Sequence, residues 1–346
     1  ANVAIGFQTL YYNTANNLTA VGYRALHSNT TGAPNCAFGL YALRNNTSGQ
    51  RNNAVGYEAL RANTFGNDNN AFGNAALYGN TTGSNNNAFG KYSLISNVVG
   101  NNNSAFGHAA LSSNTTNNNS AFGYEALKAN TTGTGNSAFG LQALKNSTIA
   151  GYNSAFGYAA MFTNTTGGNN TAVGFYALFN NTIGYANAAV GVEALKANTT
   201  GITNSAFGSK SLIANTTGSN NSAFGYNAGS DITTATANTA IGFNTGRGIT
   251  TGNYNTILGA NVTGLSATIA NNIIIADGQG NRRINVDSSG NVGIGTNSPA
   301  QLLHVYTTTA SDAGGFIKYE NGSTGTGSAT NAQLIGKSKY GTLQYM

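Results

Sequence analysis

The side chains that usually carry catalysis are few in this chain of 346 residues, and they are widely spaced. It has nine carboxylates and three histidines, which lie far apart at His27, His108 and His304. Glu58, Glu125 and Glu193 occupy one position of a sequence repeat, four repeats apart. Four repeats stacked as β-strands span about 19 Å, which is too wide for the carboxyl pair of a glycosidase. We therefore predict that the chain is not an enzyme, with a composite site between chains as the alternative.

Two aspartates and a glycine-rich string are the remaining candidates for a ligand site. Asp277 and Asp287 would either bind a cation or form turns, and we favour turns because Asp stabilises them with its side chain. The string from Gly290 to Gly295 resembles a phosphate-binding loop only weakly, since no Lys-Ser/Thr pair or predicted helix follows it. Cys36 is the single cysteine, so no intrachain disulfide can form. The sequence thus predicts no catalytic, cofactor or metal site, and no cofactor.

A repeat of seventeen residues organises most of the chain. A glycine that follows a large apolar residue, itself preceded by alanine in all copies but the last, recurs sixteen times, from Gly6 to Gly259. The step is seventeen residues except for two steps of sixteen, from Gly6 to Gly22 and from Gly107 to Gly123. So short a unit cannot hold a helical hairpin, so it predicts an all-β parallel β-roll, or β-solenoid, of about sixteen rungs. Such an array makes a rod, which spans distance or presents a repeated surface.

Composition argues against several classes of partner. Only 7% of the residues are charged, against about 25% in ordinary globular proteins, so amides and hydroxyls must solvate the surface. The net charge of +6 is dispersed, and no dense Lys/Arg stripe for nucleic acid is present. No run of about 18 apolar residues is present that would insert into a membrane. Disorder is disfavoured because the apolar residues are regularly spaced.

We number the positions of a rung from its glycine, which is position 0. Position −2 is alanine in fifteen of the sixteen rungs, and position −1 is always large and apolar. Position +4 is usually leucine, and position +7 is usually asparagine followed by threonine. This pattern predicts two short strands and two turns in each rung. Each strand would pair in parallel with its copy one rung away, at about 4.8 Å.

In this register, identical side chains form columns along the rod. We predict structural core columns of phenylalanine (Phe38, Phe72, Phe89, Phe106, Phe122, Phe139, Phe156, Phe207 and Phe224) and of leucine (Leu43, Leu60, Leu127 and Leu195). We also predict a turn column whose amides form hydrogen-bonded ladders, with Asn29, Asn80, Asn130, Asn164, Asn198 and Asn215. The two short rungs should lose their residue in the turn, near Asn16 and within 114–119.

The alternation of side chains along the strand bears on assembly. Alanine at −2 and the large residue at −1 are neighbours, so their side chains point to opposite faces. One face lies inside the coil, and the other needs a cover. We predict that identical chains provide it, in a homo-oligomer with a trimer favoured.

Two further columns have a functional and a structural interpretation. Asn-Thr-Thr recurs and fits the glycosylation sequon, although we favour turn and ladder chemistry. Position +1 is often Tyr or Phe, as at Tyr57, Tyr124 and Tyr158. Such a column either stacks on sugars or packs between chains, and we favour packing.

Two segments resemble known fibres. The unit NSAFGLQAL at 136–144 is similar to the head repeats of trimeric autotransporter adhesins, which read roughly Ser-Val-Ala-Ile-Gly-x-x-Ala. This resemblance implies a left-handed parallel β-roll with three chains to a head, although the turn here is longer and Phe replaces Ile. The segment DGQGNRRINVDSSGNVGIGTNSP at 277–299, followed by QLLHV, resembles the junction of phage tail fibres and related bacterial fibres. There a shaft passes into a distal domain or a terminal intramolecular chaperone.

The repeat decays towards this junction. Position +4 becomes Gly229, Gly246 and Thr263, and the isoleucines at 273–275 lie one period after Ile257. The shaft should therefore comprise residues 1–276, followed by a β neck at 277–305 and the start of a small distal β domain at 306–346. Because the chain begins inside a repeat, we expect it to be a segment of a longer or processed protein.

The expected function is that of a structural adhesion fibre. An oligomeric shaft, extracellular on a cell surface or a virion tail, would present a distal recognition domain to a glycan or protein of a host or prey cell. A tail spike that binds or degrades polysaccharide is the alternative. An ice- or crystal-surface binder is less favoured. Neither nucleic acid nor membrane insertion is expected.

Overall fold

The computed structural model describes residues 1–306 and two short strands at 336–337 and 343–344. These residues contain strands and turns but no helix. The chain divides into two units, Ala1–His304 and Val305–Met346. The predicted shaft and all of the predicted neck except Val305 belong to the first unit. The predicted distal domain at 306–346 lies mostly outside the described residues.

A parallel β-solenoid forms residues 1–276 of the first unit, with one strand in each rung. Every strand pairs in parallel with the next, so that Ala138 lies opposite Ala155. The register holds across a short rung, where Ala105 pairs with Ala121. The strands are β1 (Asn2–Ile5), β2 (Leu18–Val21), β3 (Asn35–Phe38), β4 (Asn52–Val55), β5 (Asn70–Phe72), β6 (Asn87–Phe89), β7 (Ser104–Phe106), β8 (Ser120–Phe122), β9 (Ser137–Phe139), β10 (Ser154–Phe156), β11 (Thr171–Val173), β12 (Ala188–Val190), β13 (Ser205–Phe207), β14 (Ser222–Phe224), β15 (Thr239–Ile241), β16 (Thr256–Leu258) and β17 (Ile273–Ala276).

The second strand that we predicted for each rung is replaced by a run of turns. Its backbone is left-handed at +2 and +4, as at Glu58 (φ 57°) and Leu60 (φ 51°), but not at +3 between them. Because left-handed and right-handed residues alternate, the backbone amides at +2 and +4 point to different neighbouring rungs. Glu58 N–H donates to Leu40 of the preceding rung, and Leu60 N–H donates to Ala76 of the next. This side of the coil is therefore bonded between rungs without forming a β-strand.

The core of the single chain is narrow. It contains the alanines at −2 and +3 and the leucines at +4, and Leu43, Leu60, Leu127 and Leu195 are fully buried. The nine phenylalanines that we assigned to core columns lie outside this core. Phe38 is 54% exposed and Phe156 40% exposed, because strand alternation turns −1 outward when the alanine at −2 faces in.

The glycine at position 0 allows neighbouring rungs to approach closely. Gly140 has φ 138°, a conformation that side-chain-bearing residues rarely adopt. A Cβ atom there would lie 2.7 Å from the carbonyl carbon of Gly157 and closer still to its oxygen. The same approach recurs along the stack, which is why this position remains glycine from the first rung to the sixteenth.

An antiparallel segment follows the last parallel strand. It comprises β18 (Arg282–Val286), β19 (Val292–Ile294) and β20 (Leu303–Val305), with β18 pairing β17 and β19. In the second unit, β21 (Gly336–Lys337) pairs antiparallel with β22 (Leu343–Gln344). The change from parallel to antiparallel pairing occurs at Ala276, where we expected the shaft to end.

Candidate functional site

A ladder of asparagine amides runs through the turn side of the coil. At +7, each Nδ2 typically donates to Oδ1 of the preceding rung and to the carbonyl of its own turn. Asn63, for example, donates to Asn46 Oδ1 at 2.8 Å and to the Gly66 carbonyl at 3.0 Å. The predicted ladder residues are all fully buried: Asn29, Asn80, Asn130, Asn164, Asn198 and Asn215.

A second asparagine ladder, which sequence analysis did not identify, occupies position −4. It runs through fifteen successive rungs from Asn35 to Asn272, and all its members are buried. Asn69 donates from its backbone N–H and its Nδ2 to Asn52 Oδ1, at 3.0 and 3.1 Å. The signal was present in the sequence, since an asparagine stands at constant distance before nearly every glycine.

The two ladders share one acceptor in the rungs that have asparagine at both positions. The Gly83 carbonyl accepts from Asn80 Nδ2 at 2.9 Å and from Asn69 Nδ2 at 2.8 Å. Both lone pairs of this oxygen are therefore used. In the short rung at 114–119 the Thr116 carbonyl takes the role, accepting from Asn114 and Asn103 at 2.9 and 2.7 Å. The turn absorbs the missing residue there, and the ladders continue.

Threonines at +8 form a third ladder at the edge of the turn. Thr64 Oγ1 donates to the Thr81 carbonyl of the next rung at 3.1 Å, and most rungs repeat this bond. The hydroxyl hydrogens are thus used inside the stack, which weakens the case for an ice- or crystal-binding threonine face. The buried asparagines also leave the Asn-Thr-Thr sequons inaccessible to glycosylation in the folded chain.

The +7 ladder is interrupted at Ser147. Asn130 Oδ1 and Ser147 Oγ are both buried there without a hydrogen-bond partner. The same rung has Ala150 where most other rungs have glycine at +10. A Cβ atom at Gly66 or Gly133 would lie 2.5 Å from Oδ1 of the asparagine in its own rung. Ser147 and Ala150 are therefore a matched pair, since the alanine methyl group requires the shorter side chain.

We expect the double substitution Ser147→Asn with Ala150→Gly to stabilise the solenoid by about 1–3 kcal/mol, because it completes the amide ladder. Ser147→Asn alone should not stabilise it, because the Ala150 methyl group obstructs the amide. Thermal unfolding of the wild type, both single variants and the double variant measures the coupling. Additive effects of the two substitutions would show that the pair is not matched.

A different exchange ends the ladder beyond Asn215, whose Oδ1 is buried without a partner. Ile232 occupies the next +7 position, and Gly229 replaces the leucine at +4 of the same rung. A Cβ atom on Gly229 would lie 3.1 Å from Ile232 Cδ1, so the isoleucine fills the space that leucine fills elsewhere. Gly229 keeps the left-handed backbone of this position, at φ 58°.

The outward face of the strands exposes an apolar column. Phe72, Phe89, Phe106, Phe122, Phe139 and Phe156 form one stack at −1, with centroids 4.6–4.8 Å apart and planes within 6° of parallel. A second exposed column, at +1, contains Tyr57, Tyr124 and Tyr158. The structure thus leaves an apolar surface uncovered along the solenoid.

Most charges of the solenoid lie away from the phenylalanine column at −1. Within 1–276, nine of the ten basic residues are at +1, +2 or +5: Arg24, Arg44, Arg61, Lys91, Lys128, Lys145, Lys196, Lys210 and Arg247. Glu58 binds Arg61 at 2.7 Å, and Glu193 binds Lys196 at 2.6 Å. Lys128 and Lys145 hold the pKa of Glu125 at about 2. Glu58, Glu125 and Glu193, which we considered as catalytic carboxylates, thus each form an ion pair with a basic side chain of the same or an adjacent rung.

The aspartates near the junction form turns. Asp277 Oδ1 accepts from the backbone N–H groups of Gln279 and Asn281, at 2.9 and 3.0 Å. Asp287 does the same with Ser289 and Asn291, both at 2.9 Å. Hydrogen bonds from Asn281 and Asn291 lower the pKa values of the two carboxyl groups. These contacts agree with the turn interpretation that we favoured over cation binding.

Other candidate groups do not converge. His27 and His108 stack on Tyr11 and Tyr124, at 5.5 and 5.2 Å between ring centroids. Within the described part of the chain, no three His, Cys, Asp or Glu side chains group to hold a metal ion. The same residues include no helix long and apolar enough to span a membrane. No protein-family model matches the chain, and no curated protein is significantly similar to it.

Proposed function

We propose that this chain is part of a structural adhesion fibre, whose solenoid is an oligomeric shaft that carries a recognition domain outward. The observation that carries the proposal is the combination of a self-satisfied polar interior with an uncovered apolar face. The interior ladders repeat in most rungs and bond mainly to one another, so they leave few donors or acceptors for a ligand. Specific binding needs different groups at one place, whereas most of the solenoid repeats the same few.

The apolar face supports association with identical chains. A second copy has the same rung spacing, so aromatic columns of two or three chains match rung for rung when the chains lie in register. Phe38, Phe156 and Phe224 are each at least 40% exposed in the single chain, which is a large apolar area to leave in water. We favour a trimer, with a left-handed coil, located extracellularly on a cell surface or virion tail. The partner of the distal region would be a glycan or protein of a host or prey cell.

Substituting Phe122, Phe139 and Phe156 with aspartate should convert the full chain from an oligomer to a monomer that stays folded. Each aspartate would bury an unpaired charge in the interface, whereas the single chain leaves Phe156 exposed and Phe122 and Phe139 only half-buried. Sedimentation at micromolar concentration gives the oligomeric state, and circular dichroism gives the folding. The matched control places aspartates at Ile149, Tyr152 and Ile183, which are more than 50% exposed and lie off the apolar face. A monomeric wild type, or equal dissociation of the control, would contradict the interface.

The spacer role is tested by deleting two rungs, residues 119–152, from the full fibre. The deletion joins equivalent positions of the repeat, so we expect a fibre shorter by about 10 Å in electron micrographs. Binding to the target cell should stay within about twofold, because the recognition groups lie elsewhere. Loss of binding by an intact shortened fibre would show that the solenoid itself is the adhesive surface in this region.

A further inference from the structure

The first three rungs differ from the rest of the charged face. Tyr11, Tyr12, Arg24, His27, Tyr41 and Arg44 lie there at +2, +5 and +6, and we call them the arginine–tyrosine patch. Tyr11 and Tyr12 are 59% and 58% exposed, and Arg24, His27, Tyr41 and Arg44 are half-buried. The patch adjoins the +1 column, because Arg24 lies over the Tyr23 ring.

The arginines of this patch have no acidic partner among the described residues. Farther along the same face, most basic side chains are neutralised, for example Arg61 by Glu58, Lys128 and Lys145 by Glu125, and Lys196 by Glu193, whereas Lys91 and Lys210 form no ion pair among the described residues. Arg24 makes one side-chain hydrogen bond, from Nε to Gln8 Oε1 at 2.6 Å. Arg44 makes none, and its Nε is buried without a partner. Burial and the two nearby guanidinium groups lower the pKa of His27, so positive potential accumulates at this place.

Aromatic contacts hold both guanidinium groups in position. Arg24 lies over the Tyr23 ring at 5.3 Å, and Arg44 over the Tyr41 ring at 5.2 Å. These contacts restrain each guanidinium group, whose terminal nitrogens can bind a carboxylate through two parallel hydrogen bonds. A preorganised pair of this kind loses little side-chain entropy when an anion binds.

The aromatic rings limit which anion fits. Tyr11 and His27 stack on each other at 5.5 Å with planes 5° apart, and Tyr12 packs edge-on against both. The rings therefore cover one another, and the patch offers ring edges and hydroxyl groups in place of an open stacking platform. Single-stranded nucleic acids bind mainly by stacking their bases on open ring faces. A hydroxyl-rich anion suits this surface better than a nucleobase.

We propose that the arginine–tyrosine patch is a lateral binding site for an acidic polysaccharide, whose sugar carboxylates pair with Arg24 and Arg44. The tyrosine hydroxyl groups would bind hydroxyls of the same chain of sugars. This inference goes beyond the spacer role, since it places a binding site on the side of the solenoid. It does not depend on oligomerisation or on the distal region.

The test uses the full chain and a fluorescent oligogalacturonate in a polarisation titration. Arg24→Gln with Arg44→Gln should weaken binding by at least about tenfold, because each variant removes charge-assisted hydrogen bonds. The matched control, Lys91→Gln with Lys210→Gln, removes the same charge from the solenoid outside the patch and should change binding by less than about twofold. Thermal unfolding checks that both double variants stay folded.

Three outcomes would overturn the proposal. One is absence of oligogalacturonate binding at millimolar concentration. Another is equal weakening by the two double variants, which would mean that net charge alone attracts the polymer. The third is tighter binding of dextran sulfate or of an oligothymidylate, which would assign the patch to sulfate groups or to nucleic acid. Preferential binding of oligogalacturonate that the arginine variant alone removes would support it.

Discussion

Replacing Gly140 with alanine is expected to open the solenoid at its ninth rung. The new Cβ atom would lie 2.7 Å from the Gly157 carbonyl carbon and closer to its oxygen, and these are backbone atoms of the next rung. They cannot move away without separating β9 from β10. Strain at φ 138° adds to this clash, and together we expect a cost of about 3–5 kcal/mol. Faster hydrogen exchange of the β9 and β10 amides would report the local opening.

Two glycines outside this column distinguish the cost of the steric clash from the cost of the backbone strain. At Gly278 an added Cβ has no neighbour within 4 Å, so Gly278→Ala should leave stability unchanged. Gly264 has equally open space but φ 65°, so Gly264→Ala should cost only the backbone strain, about 1 kcal/mol. If Gly140→Ala costs no more than Gly264→Ala, the close approach between rungs does not determine this position.

Substituting Asn187 with aspartate should destabilise the solenoid, and more strongly as pH rises. Asn187 is 1% exposed, and its Nδ2 donates to the Gly201 carbonyl at 2.8 Å and to Asn170 Oδ1 at 3.2 Å. A carboxylate would place an oxygen against both acceptors, and burial would raise its pKa above the unfolded value. The penalty is therefore small below about pH 4 and grows as the pH rises towards 7. At neutral pH we expect a loss of about 3–5 kcal/mol.

Urea unfolding of the Asn187→Asp variant between acidic and neutral pH measures this trend. Asn180 provides the matched control, because it is exposed and donates no side-chain hydrogen bond within the described residues. Asn180→Asp should change stability by less than about 0.5 kcal/mol, with no added pH dependence. A similar pH trend in both variants would indicate that the −4 ladder is not a buried, satisfied network.

The repeat itself specified much of this structure. The constant spacing of Gly123, Gly140 and Gly157 predicted parallel strands in register, and the strand pairing confirms it. The turn asparagines form the amide ladder that their spacing suggested. A period is a local signal, so a register follows from it without knowledge of the rest of the chain.

Other features depend on backbone conformation and packing, which the pattern does not report. Leucine rarely adopts φ near +50°, so the sequence at Leu60 did not predict the left-handed turn that replaces the second strand. Its burial and the bonds between rungs offset the strain. The phenylalanines at −1 were expected in a core because aromatic residues favour burial, yet the narrow coil admits only alanine on its strand side. Their full burial requires another chain.

The repeated bonding of each rung to its neighbours, including the carbonyl that two ladders share, has a genetic consequence. Each rung bonds only to the rung before and the rung after, in the same pattern, so any ordinary rung is a valid neighbour for any other. DNA that encodes such rungs is a tandem repeat, in which replication slippage and unequal recombination add or remove whole units. Loss or gain of one unit in frame recreates the same contacts, so descendants can differ in length without a misfolded intermediate. The exceptions are the rungs with Ser147 and Ala150 and with Gly229 and Ile232, whose paired substitutions must be inherited together.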